Sequence, residues 1–182
     1  MAWQNTQRIV SHSFTCGHCG NLVASDCGFF KALDQRVYIC PHCDQPSYFS
    51  PSEQLPGVAP GNDVRALPED VASLYREARR AVAASAYTAA TLVSRKLLMN
   101  VAVAQKAPTG RTFVEYVEYL ANQGYVPPNG KGWVDHIRKK GNEATHEIVV
   151  MKREDAEELV AFTEMLLKFI YEFPSRVPKS QP

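Results

Sequence analysis

Beyond residue 67, apolar residues recur at intervals of three and four, a period that predicts helices and leaves no sustained strand alternation. The first helix should open at Pro68, where proline suits the first helical position. Glu69 and Asp70 favour its positive end, and it should bury Val71, Leu74, Tyr75, Ala78 and Val82. A second, from about Ala86 to Gln105, should bury Ala89, Ala90, Val93, Leu97 and Val101 before Pro108 and Gly110 break the chain. Thr112 and Glu115 form a capping-box pattern for a third helix through Phe113, Val117 and Leu120, ending at Gly124. A turn through Pro127, Pro128, Asn129 and Gly130 leads to a fourth, roughly Lys131 to His146. The fifth, about Arg153 to Phe173, presents a broad apolar face through Leu159, Val160, Phe162, Leu166, Leu167 and Ile170, and should be the main packing element.

The first fifty residues follow a different pattern. Cys16-Gly17-His18-Cys19 and Cys40-Pro41-His42-Cys43 are two C-x-x-C pairs, spaced as in a four-thiolate metal site. Two residues between cysteines let a tight turn aim both sulfurs at one ion, and Gly17, Gly20 and Pro41 suit such knuckles. Phe29, Phe30, Val37, Tyr38 and Ile39 should form hairpin strands that bring the second knuckle to the first. A segment this short cannot bury enough apolar area to fold without a staple, so a zinc ribbon is expected, held by Cys16, Cys19, Cys40 and Cys43. A rubredoxin-like iron site would use the same ligands, and disulfides are the third reading. His18 and His42 are expected as solvent-facing turn residues and Cys27 as a small half-buried spare. Four thiolates close the coordination sphere, which points to a structural metal rather than a catalytic one.

Between Ser50 and Leu67, Pro51, Pro56, Gly57, Pro60 and Gly61 interrupt any period. The expected organisation is therefore a zinc ribbon over 1–49, a Pro/Gly-rich linker over 50–67, a helical bundle over 68–174 and a flexible tail over 175–182.

The chain has 182 residues, 45% hydrophobic and 21% charged, with a net charge of +1. That balance is globular and excludes a large multidomain enzyme. No stretch approaches the roughly 20 apolar residues that span a bilayer, and the start lacks a secretory pattern, so a cytoplasmic location is expected. Phosphate-cradling, zinc-protease and nucleophile-elbow motifs are missing from the sequence.

The near-neutral total hides segregation. Arg76, Arg79, Arg80, Arg95 and Lys96 make the first two helices basic, as do Lys131, Arg138, Lys139 and Lys140 the fourth, while the fifth opens with Glu154, Asp155, Glu157 and Glu158. Arg95, Arg138, Lys139 and Lys140 are the candidate phosphate-binding cations, against a reading in which these charges are solvated or paired within the chain. At 100° per residue, Asp135, Arg138, Asn142 and His146 share one face of the fourth helix. Two readings stand: a phosphate or ribose site in which His146 moves a proton, or a packing network in which Asp135 pairs with Arg138.

Tyr75-x-Glu77-Ala78, Arg95-Lys96-Leu97-Leu98, Ile137-Arg138-x-x-Gly141-Asn142-x-x-x-His146, Glu154-x-Ala156-Glu157 and Phe169-Ile170-Tyr171-Glu172 occur in that order. In this the chain resembles an uncharacterised prokaryotic domain family that occurs alone, behind zinc ribbons and as an accessory domain of type I restriction-enzyme subunits. That family is related to the HEPN superfamily of helical domains, many of which act in RNA processing and antiviral defence. The resemblance implies a mainly α chain: a five-helix HEPN-like bundle behind a small β zinc ribbon. It also implies a metal-independent ribonuclease site in which Asn142 and His146 match the polar residue and the histidine of the family pattern, while Gly141 stands where its arginine would be.

The leading expectation is thus a noncatalytic zinc-containing binding or adaptor protein in nucleic-acid transactions or defence, with a nucleic-acid or protein partner. The alternatives are an endoribonuclease using the catalytic candidates His146 and Asn142, with Lys140 or Arg138 stabilising charge, and a nucleotide-sensing module. The apolar breadth of the fifth helix leaves room for a homodimer face.

Overall fold

The computed structural model describes residues 3–32, 34–146 and 150–177. The chain divides into two compact units, Met1–Ala59 with Ala83–Ser85, and Pro60–Val82 with Ala86–Pro182.

The first unit is a five-stranded antiparallel sheet in the order β1-β2-β3-β4-β5, with β1 at Gln7–Thr15, β2 at Leu22–Ala32, β3 at Gln35–Ile39, β4 at Pro46–Phe49 and β5 at Gln54–Leu55. The Gln54 side-chain amide donates to the Thr15 carbonyl at 2.8 Å, which ties the last strand to the first. Phe14, Tyr38 and the sulfurs of Cys16 and Cys40 form the small core, with Phe49 packed edge-on to Phe14 and Tyr38 at centroid distances of 4.9 and 5.6 Å.

In the second unit, α1 spans Glu69–Ala83, α2 Tyr87–Ala104, α3 Phe113–Asn122, α4 Lys131–His146 and α5 Arg153–Leu167, with a short α6 at Phe173–Arg176. Pro68 accepts the first helical bond of α1 from the Ala72 N–H, and Val71, Tyr75, Ala78 and Val82 form its buried stripe. Thr112 and Glu115 make both bonds of the capping box that starts α3. Leu97, Leu98 and Val101 of α2 meet Leu159, Val160 and Leu166 of α5 in one core that also takes in Val117 and Leu120 of α3. Ala89, expected in that core, is exposed.

Two features depart from the sequence reading. The expected mainly α chain with a HEPN-like bundle is not what is found: the chain is 48% helix and 19% strand, and the helical unit is not clearly HEPN-like. The sheet was underestimated because β1 (QRIVSHSFT) carries polar residues at exposed and half-exposed positions alike, which erases the alternation that marks a half-buried strand. The last helix also does not run as one α-helix. A π-helical turn at Lys168–Glu172 intervenes, with the Phe173 N–H bonded to the Lys168 carbonyl. Pro174 accounts for this turn, since it has no N–H for Ile170 and its ring would crowd the Ile170 carbonyl in a continuous α-helix.

Candidate metal centre

Each C-x-x-C pair is built as the same knuckle. The Cys16 N–H donates to the Asn21 carbonyl at 2.9 Å and the Gly20 N–H to the Cys16 carbonyl at 2.8 Å. The Cys40 N–H donates to Gln45 and the Asp44 N–H to Cys40, both at 2.9 Å. Both turns end on a left-handed residue, Gly20 at φ 73° and Asp44 at φ 57°. Glycine takes that conformation freely, and aspartate is among the few side chains that tolerate it. The Trp3 indole N–H caps the second turn by donating to the Asp44 carbonyl at 2.9 Å.

The sheet brings the knuckles together. The Sγ atoms of Cys16, Cys19, Cys40 and Cys43 all lie within 4.8 Å of one another, with Cys16 to Cys43 at 3.7 Å and Cys19 to Cys40 at 3.9 Å. A tetrahedron of sulfurs about 2.3 Å from a central ion has edges of about 3.8 Å. The four cysteines are therefore placed to hold one metal ion such as zinc.

Burial and hydrogen bonding set the acidities of Cys19 and Cys43 apart. Burial pushes the Cys19 thiol up, but hydrogen bonds from the Asn21 side chain and backbone and from Cys43 and Cys16 outweigh it and bring the pKa down to about 6. Burial pushes Cys43 up to about 12, its cysteine neighbours adding to the rise against the Gln45 backbone hydrogen bond. The thiolate is thus favoured at Cys19 and disfavoured at Cys43. A positive ion at the centre favours the thiolate forms of its ligands.

Two residues outside the ligand set clasp the knuckles across the centre. The His18 Nε2 lies 2.9 Å from the Pro46 carbonyl, and the His42 Nδ1 lies 3.2 Å from the Asn21 amide. Both histidines are exposed, as turn residues should be, yet each binds the strand or turn beside the other knuckle. Asn21 went unnoticed in the sequence, although its place two residues after Cys19 mirrors that of Gln45 after Cys43. Cys27, expected half-buried, is exposed on β2.

In the helical unit, the Arg138 Nη1 pairs with Asp135 Oδ1 at 3.1 Å, a turn apart on α4. His136 of α4 pairs with Glu158 of α5 at 2.8 Å. Lys139 is exposed. Arg95 stacks its guanidinium on the Phe113 ring, 4.4 Å from the centroid. Lys140, Gly141, Asn142 and His146 belong to α4, but beyond their place in that helix they lie outside the described residues.

The model of a protein family described as a domain of unknown function, DUF4145, matches residues 76–181. The chain belongs to the DUF4145 family. No curated protein and no solved structure matches it. The DUF4145 match begins inside α1 and takes in α2 to α6, so Arg95, Arg138, Lys139, Asn142 and His146 all fall within it, while the four cysteines lie ahead of it. No helix among the described residues is long and apolar enough to cross a membrane.

Proposed function

We propose that this protein is a noncatalytic zinc-containing binding module acting in nucleic-acid transactions, with a zinc ribbon joined to a DUF4145 domain that contacts phosphate. The sulfur tetrahedron carries the reading. Four thiolates fill the coordination of a zinc ion and leave no position for water, so the metal would hold the two knuckles in place and activate nothing. Zinc fits better than a redox metal in this role because its affinity for thiolates comes without electron transfer. Cations of the DUF4145 domain support the second half: Lys96 and Lys139 are exposed, and Arg95 is paired with no carboxylate among the described residues.

The test uses the full chain and a labelled single-stranded RNA at low salt. Binding should weaken with added salt, and Lys139→Ala should flatten the plot of log affinity against log salt by about 0.7. Absence of binding at low salt would refute the nucleic-acid half, and zinc bound at less than one per chain would refute the other.

A further inference from the structure

A half-buried guanidinium normally faces a carboxylate, because taking a charge out of water without a partner is costly. Arg95 breaks this rule. Among the described residues it makes no ion pair, its Nη1 is buried without a hydrogen-bond partner, and its guanidinium lies on the face of Phe113, a ring only 3% exposed. Burial lowers its pKa, as expected of a cation losing hydration with nothing to replace it. The same face of α2 carries two more polar groups in this condition: the hydroxyls of Thr91 and Ser94, both fully buried and both without a partner among the described residues. Residues 91, 94 and 95 fall within about 100° of one another around the helix. An Ala- and Leu-rich helix gains nothing from three unmatched polar groups, and apolar residues of similar size would be more stable there.

We propose that Arg95 is the anchor of an anion site on α2, with Phe113 as its platform, and that the anion is a phosphate group, either of a free nucleotide or of a nucleic-acid backbone. Stacking on Phe113 fixes the plane of the guanidinium, so it offers an oriented fork to the two oxygens of one phosphate. Lys96, the next residue and exposed, adds positive potential at the approach. This rests on the phosphate-binding half of the proposed function and assigns it a centre.

The experiment compares the full chain with Arg95→Gln and Arg95→Lys, using thermal shift with inorganic phosphate and with adenosine monophosphate, and anisotropy with the labelled RNA. Without ligand, Arg95→Gln should melt at or above the parent temperature, since a cation kept for a ligand does not stabilise the free protein; a lower melting temperature would mean that Arg95 is structural and would overturn the proposal. With ligand, Arg95→Gln should weaken RNA binding about tenfold, and Arg95→Lys, which keeps the charge without the fork, should fall between. RNA binding unchanged in affinity and salt slope by Arg95→Gln would overturn the Arg95 site and leave the nucleic-acid reading standing. Stabilisation by adenosine monophosphate or phosphate that is lost in Arg95→Gln, without RNA binding, would support the site and refute that reading in favour of a free nucleotide. No response to any of the three probes would overturn both.

Discussion

Glu164, on α5, accepts hydrogen bonds from both the backbone N–H and the side-chain amide of Asn62, at 3.0 and 3.2 Å, across 102 positions of sequence. The Tyr75 hydroxyl lies 3.3 Å from the same carboxylate, and Lys168 pairs with it from the next turn. Eight residues on, Glu172 accepts the Arg65 N–H at 3.1 Å and pairs with Arg176. Arg79 completes the arrangement by donating to the carbonyls of Pro60 and Gly61 at 2.8 and 2.9 Å. Glu164 of α5, Glu172 of the π-helical turn after it and Arg79 of α1 thus fasten residues 60–65 within the helical unit.

This clasp should be acid-sensitive. Burial alone would raise the Glu164 pKa, but Lys168 and the two Asn62 donors outweigh it, and the value falls below the usual 4.5. Glu172 is also lowered, chiefly by the Arg65 N–H. A carboxylate whose folded pKa is depressed contributes stability that is complete above its unfolded pKa and is lost as pH falls through the folded one. Thermal melts should therefore be flat from neutral pH down to about 5 and drop below about 4.5. Glu164→Gln should cost about 1–3 kcal/mol at neutral pH, because it loses the charge and sets an amide N–H donor against one of the two Asn62 donors, and it should blunt the acid drop.

Two glycines should respond oppositely to alanine. A Cβ on Gly28 would sit 1.9 Å from the Val37 carbonyl oxygen, in the backbone of the paired strand, so Gly28→Ala should destabilise the sheet by about 1–3 kcal/mol. A Cβ on Gly132 meets nothing within 4 Å, and Gly132 lies in α4. Gly132→Ala should stabilise by up to about 1 kcal/mol. Urea titrations of both variants check this.

His18 and His42 clasp the knuckles without ligating, so His18→Ala and His42→Ala should keep the full metal content while releasing metal to a chelator faster than the parent. Stopped-flow release with a chromogenic chelator measures this. A loss of stoichiometry in either variant would make that histidine a ligand.

The sequence made the four-cysteine cluster legible because C-x-x-C spacing is a geometric requirement that leaves a local trace. The Thr112 and Glu115 cap was legible for the same reason. What escaped was set by distant partners. Glu164 stands four residues from Lys168, which looks like a solvated surface pair, and only Asn62 arriving from far along the chain turns it inward. Thr91 and Ser94 lie in an alanine-rich stretch whose apolar period absorbs small hydroxyls without notice, so their burial is visible only in the packed helix. The extent of the sheet was hidden by polar residues scattered along β1, and the π turn by a proline effect that overrides an uninterrupted apolar pattern.

The account stands most directly on the metal itself. Native mass spectrometry of the full chain purified without added metal should find one zinc per molecule, retained in Cys27→Ser and lost in Cys40→Ser, with the sheet signal in circular dichroism lost alongside it. Iron in the site, disulfides among Cys16, Cys19, Cys40 and Cys43, or a metal-free chain with the sheet intact would contradict it.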